Sequence, residues 1–183
     1  MTYSRFNLKT TGLLTFAALV CITVLAACNS GSASSTKAAP SSHIGQRLKT
    51  SECVSHDALP DSDCTPGAVF SDVTKDDICV PGYSSKVRNV PDSEKNQVYA
   101  EYGVASHTTG EYEVDHLISL ELGGSNDIAN LWPEPAEPRP GFHEKDKVEN
   151  YLHDQVCSGA MTLQDAQAII ATNWLEVYPR VSK

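Results

Sequence analysis

Residues Glu111-Tyr112-Glu113-Val114-Asp115-His116-Leu117-Ile118-Ser119-Leu120 run on to Gly123-Gly124-Ser125-Asn126-Asp127, and then to Asn130-Leu131-Trp132. An apolar, branched and aromatic run bounded by glycine, serine, asparagine and aspartate marks a strand and its turn. The stretch therefore predicts a strand over 111–120, a turn at 123–127 and a short second strand at 130–132 stopped by Pro133. Four prolines (133, 135, 138 and 140) lack the N–H of a ladder or helix, so regular structure is excluded as far as Gly141.

Beyond that point the period changes from two to that of a helix. From His143 to Cys157, Val148, Leu152 and Val156 form one apolar stripe, while His143, Asp146, Asn150 and His153 lie on the other side. Gly159 ends this helix, and Thr162-Leu163-Gln164-Asp165 has the form of a capping box that opens a last helix to about Tyr178. Towards the N-terminus, Asp92 to Tyr102 reads as a helix capped by Asp92 or Ser93. Val87-Arg88-Asn89-Val90 reads as a brief strand and Cys79-Val80-Pro81-Gly82-Tyr83 as a turn. Residues Gln46 to Asp77 are rich in Asp, Ser, Pro and Gly and predict an irregular covering segment. Trp132 and Trp174 are expected in the core.

Asp115-His116, then Gly-Gly-x-Asn-Asp, then Asn130-Leu131, then a polar-faced helix resembles the HNH, or His-Me finger, nucleases over about a quarter of the chain. Lys145-Asp146-x-x-Glu149 and Val156-Cys157-Ser158-Gly159 also resemble a group of small exported HNH-like proteins. The resemblance implies an α+β fold with a ββα-metal core, about 111–157. It also implies hydrolysis of nucleic acid phosphodiester bonds with a divalent metal. That chemistry needs a base for water and a cation for the charge developing on phosphate. His116 is the expected base, Asn130 its orienting residue, and Asp115 the metal ligand together with His143 or Asp146 from the helix. An oxygen and imidazole set suits Mg, Mn or Zn. Glu149 and His153 are weaker candidates, and Arg88, Lys95, Arg139 and Lys145 are candidate phosphate contacts. Successive strand residues face opposite sides, so Asp115 and His116 share a site only near a strand end or bulge. The proline-rich insertion sets the helix further from Asn130 than in compact members of the family, which leaves the helix ligand open. Each residue alone has a plainer reading: a turn cap for Asp115, a satisfied buried histidine for His116, an Asx turn for Asn130.

The N-terminus reads as an export leader: Arg5 and Lys9 without acidic residues, then an apolar run from Gly12 to Ala27. Leu25-Ala26-Ala27-Cys28 resembles the bacterial lipobox, which implies cleavage after residue 27 and a lipid on Cys28. Residues 28–45 then form a small, polar tether, and residues 46–183 the folded domain. Two or more acyl chains would make attachment to the cell envelope stable. Asn29 after the cysteine resembles the outer-membrane sorting pattern, should the host be Gram-negative. Removing the leader takes away two of 14 basic residues and none of 23 acidic ones, leaving a formal charge of −11. So acidic a chain cannot grip nucleic acid through broad neutralisation of phosphates. Any nuclease activity must rest on a metal and a local basic cluster.

Cys53, Cys64, Cys79 and Cys157 remain as an even set in an exported chain, which predicts two disulfides. Of three possible pairings, Cys53 with Cys64 and Cys79 with Cys157 is favoured. A zinc site is disfavoured because no Cys-x-x-Cys pair exists. A monomer is expected, with DNA as the expected substrate. The rival class is a non-catalytic envelope lipoprotein that uses the same scaffold for binding, which the acidic charge favours. A third is a small disulfide-stapled structural protein.

Overall fold

In the computed structural model, residues 44–182 are described. The expected leader, the lipid site Cys28 and the tether up to residue 43 lie outside the described residues. Ile44 packs against the core and the Gly45 N–H bonds to the Gly67 carbonyl, so the domain is fastened slightly ahead of residue 46. Among the described residues no helix is long and apolar enough to cross a membrane.

The architecture is α+β. In chain order it comprises α1 (Lys75–Ile78), α2 (Tyr83–Val87), α3 (Asp92–Glu101), β1 (Tyr112–His116), β2 (Leu131–Pro135), α4 (Phe142–Ser158), α5 (Leu163–Asn173) and α6 (Tyr178–Val181). β1 and β2 form one antiparallel pair, with Asp115 opposite Trp132 and His116 opposite Leu131.

Five sequence expectations are corrected. β1 ends at His116 instead of running to Leu120, because the N–H and C=O of Ile118 are taken by the side-chain amide of Asn130, which replaces a strand partner. β2 passes through Pro133 instead of stopping there. Leu117 N–H bonds Asn130 O at one end and Ala136 N–H bonds Glu111 O at the other, so Pro133 and Pro135 fall at non-hydrogen-bonded positions, where no N–H is needed. Residues 87–90 are not a strand. α2 occupies 83–87, and the peptides on either side of Arg88 pair with the side chain of Asn126. The last helix breaks at Asn173, whose side chain accepts the N–H of Leu175, and resumes at Tyr178. The covering segment before Asp77 is otherwise irregular, except that Thr74 caps the one-turn α1. Pro91, and neither Asp92 nor Ser93, stands at the N-cap of α3.

α4 starts where Glu144 turns back to accept the Gly141 N–H. Its stripe of Val148, Leu152 and Val156 is fully buried against Ile118, Leu122, Ile170 and Trp174. Trp132 is buried as well, and Trp174 Nε1 donates to the Ala58 carbonyl at 3.0 Å. Two disulfides, Cys53–Cys64 and Cys79–Cys157, match the favoured pairing. The second joins the end of α1 to the end of α4.

The Gly-Gly turn is required by close approach. A Cβ on Gly124 would stand 1.7 Å from the Ile118 carbonyl oxygen, and Gly123 has φ +76°. The two glycines thus let the 119–125 loop fold back under Ile118, two residues from His116.

Candidate active site at the end of the first strand

Asp115 and His116 meet different partners, as the alternation of a strand demands. Asp115 faces α4, where Lys145 Nζ donates to its Oδ2 at 2.6 Å and to the His116 carbonyl at 2.8 Å. Lys145 also bonds Glu149, one turn along α4, and lies 3.7 Å from Glu134 of β2. The ammonium is wholly buried, ringed by three carboxyl groups and one carbonyl.

Burial works to raise the Asp115 carboxyl, but the Lys145 charge and hydrogen bonds from Glu134 and Lys145 hold it below its ordinary value. Burial likewise opposes the charge on Lys145, yet the surrounding carboxylates keep it well above the usual lysine range. Glu149 is pushed up to about 7 by burial, against the pull of Lys145. Burial drives Glu134 well above the usual carboxylate range. As a carboxylate, Glu134 leaves both oxygens without a partner; as an acid, it donates to Asp115.

His116 is 1% exposed. Its Nε2 lies 3.2 Å from Asn126 Oδ1, while its Nδ1 is buried without a partner. Burial lowers its pKa to about 4, with Asp115 acting in the opposite sense, so the ring is neutral at pH 7. Arg88 stands close enough to disfavour protonation further. Asn130 is fully buried: its Oδ1 accepts Ile118 N–H and its Nδ2 donates to Ile118 O and Ser125 O, each at 2.9 Å. It therefore fixes the loop after the histidine, and the direct contact to the ring comes from Asn126.

The remaining expected residues are more dispersed. His143 and Asp146 are exposed on α4. Burial and the charge of Asp115 raise the Asp146 carboxyl, and burial, Asp115 and Asp146 do the same for Glu113, so these acids lie near one another. Arg88 is exposed, and among the described residues it forms no salt bridge. Lys95 is paired with Asp92, and Arg139 with Glu137 and Glu144. Lys145 is corrected from a phosphate contact to an internal ion, since a wholly buried ammonium cannot meet a polymer.

Sequence reasoning missed Lys145 and Glu134 as buried groups and Asn126 as the partner of His116. For Lys145 a signal exists: it stands three residues before Val148, at the head of the apolar stripe. Glu134, between two prolines, carries no such signal.

Cys79, His153 and Cys157 offer ligand atoms within 4.8 Å of one another and are a group that could hold a metal ion. In this structure the two sulfurs are joined to each other and His153 Nε2 bonds the Ile78 carbonyl. Among the described residues the ligand atoms of Asp115, His143 and Asp146 do not converge in the same way.

Comparison with protein-family models, with curated proteins and with solved structures gives no match to this chain.

Proposed function

We propose that the chain is an exported HNH-type, or His-Me finger, nuclease that hydrolyses nucleic acid phosphodiester bonds. In this reading β1, β2 and α4 are its ββα core. The observation that carries it is His116: a neutral, buried imidazole at a strand end, whose Nδ1 lone pair has no partner inside the protein. An orphaned buried acceptor of that kind is what a general base needs, and opening of the strand end on substrate binding would have to admit the nucleophilic water to it. His116 Nδ1 takes the proton from that water. Asn130 keeps the loop behind the ring in place, and Arg88 meets the phosphate.

Carboxylate oxygens with an imidazole are of the chemical type that a divalent cation takes. Asp115 is held as a carboxylate, and exposed Asp146 and Glu113 are near enough to feel its charge, so oxygen donors gather at its rim. Asp115 with His143 or Asp146 would hold the ion, which supplies charge neutralisation at the phosphate when bound. Two disulfides are in keeping with an oxidising compartment, and lipid on Cys28 would tether the enzyme to the envelope.

The test is nicking of supercoiled plasmid with Mg, Mn or Zn added in turn, alongside His116→Ala. Metal-dependent cleavage that disappears in the variant supports the nuclease. A well-folded, disulfide-intact protein that cleaves with none of these metals overturns it.

A second reading, a binding scaffold of the same fold, is favoured by two observations. Lys145 already satisfies Asp115, and three surface clefts of about 600, 360 and 450 Å³ are lined by residues other than Asp115 and His116. On that reading no divalent ion binds through Asp115, which titration calorimetry with Mn on wild type and Asp115→Asn measures.

A further inference from the structure

The side chain of Asn126 touches three things at once. The Asn89 N–H donates to its Oδ1 at 3.1 Å, its Nδ2 donates to the Val87 carbonyl at 2.8 Å, and His116 Nε2 lies 3.2 Å from the same Oδ1. The two backbone bonds fix which end of the amide is which, because an N–H needs an acceptor and a carbonyl needs a donor. With Oδ1 pinned towards the ring, His116 Nε2 can only be the donor. A proton on Nδ1 as well would be buried without an acceptor, at a cost of about 1–3 kcal/mol. The ring therefore carries its proton on Nε2 and its lone pair on Nδ1.

The same amide clamps the peptides on both sides of Arg88. It grips residues 87 and 89 much as a neighbouring strand would, although no strand is there. Arg88, the exposed cation beside His116, is thereby mounted on the same support as the imidazole.

We infer that Asn126 is a positioning residue: it sets the tautomer of His116, leaving Nδ1 bare, and holds the Arg88 segment beside that ring as a seat for a phosphodiester. This rests on the nuclease reading for its purpose, but the geometric claim stands or falls separately.

The experiment is a long-range 1H–15N correlation on the imidazoles of the purified, disulfide-intact full chain at pH 7, with His116→Gln to assign the signal. The wild-type ring is expected to show Nε2 protonated and Nδ1 bare. Asn126→Ala should move the ring to a mixture of tautomers, while Asn126→Asp, which keeps an acceptor, should retain Nε2–H. Near-UV circular dichroism and intact disulfides check the fold of each variant. An Nδ1–H ring in the wild type overturns the inference even if Asn126→Ala fails to fold, as does an Asn126→Ala ring indistinguishable from wild type.

Plasmid cleavage separates the two claims. Where the enzyme is active, Asn126→Ala should lower kcat on the order of 10²-fold, the lower end of a general base's contribution, with Asn126→Asp recovering only the part that depends on the tautomer, since it lacks the donor to the Val87 carbonyl. Inactive wild type with the expected tautomer sinks the nuclease and leaves the positioning of His116 intact. Active wild type with the opposite tautomer sinks the positioning alone.

Discussion

Lys145 reaches Asp115 across 2.6 Å from a position with no solvent exposure, and the same ammonium bonds the carbonyl of the very next residue, His116. One buried charge thus ties α4 to both residues at the end of β1. Removing it strands acidic groups in the interior. Lys145→Met should cost about 3–5 kcal/mol in urea denaturation, the range for breaking a buried pair by deleting one partner. Adding Glu149→Gln to Lys145→Met should recover part of that loss; an unchanged midpoint in the single variant would show the cage to be energetically silent.

His116 makes the protein sensitive to acid. Its folded pKa of about 4 lies below the ordinary 6.5, so between these values the unfolded chain binds the extra proton. Stability from this group is fully present above pH 6.5 and is lost as pH falls towards 4, by roughly 3 kcal/mol over the window. Glu149, raised from 4.5 to about 7, acts in the opposite direction, losing stability as pH rises between those values. The difference between wild type and His116→Asn isolates the first effect: denaturation midpoints of the variant should fall less between pH 6.5 and 4.

The loop under Ile118 depends on two unlike residues. Gly124→Ala places a Cβ where the Ile118 carbonyl oxygen stands and should cost at least about 2 kcal/mol. Asn130→Ala leaves the N–H and C=O of Ile118 and the carbonyl of Ser125 without their buried partner, for a loss of about 3 kcal/mol or more. Hydrogen exchange at Ile118 should quicken in Asn130→Ala if the amide is what ends the strand.

The two disulfides differ in span. Cys79–Cys157 closes 78 residues and Cys53–Cys64 closes 11, so chain entropy assigns them about 4.5 and 2.8 kcal/mol respectively. Cys79→Ala/Cys157→Ala should therefore lower the thermal midpoint more than Cys53→Ala/Cys64→Ala; the reverse order would place the main effect in native contacts.

Features governed by period and punctuation are legible in the sequence. Val148, Leu152 and Val156 mark the buried face of α4, the Gly123-Gly124 pair marks the turn, and the even cysteine number marks two disulfides, whose pairing the sequence only favours among three. Asp115, His116 and Asn130 are singled out by their order. A helix ligand is not, because His143 and Asp146 are both exposed on α4 and of suitable chemical type. Side-chain amides are the hardest to foresee. Asn130 ends β1 and Asn126 stands in for a strand beside Arg88, and neither act leaves a periodic trace. Pro133 misleads for a related reason: its effect depends on which pairs of the ladder carry hydrogen bonds, and that register is set by contacts at Leu117 and Ala136.

The bond between Cys79 and Cys157 encloses Arg88, Asp115, His116, Asn126, Asn130, Lys145 and Glu149 in a single covalent ring. A protease that nicks the exposed segment around residues 105–108 leaves two pieces still joined through that bond. The candidate site is thereby inscribed in a closed loop of chain, whose integrity against one cut depends on a sulfur link remote from the chemistry.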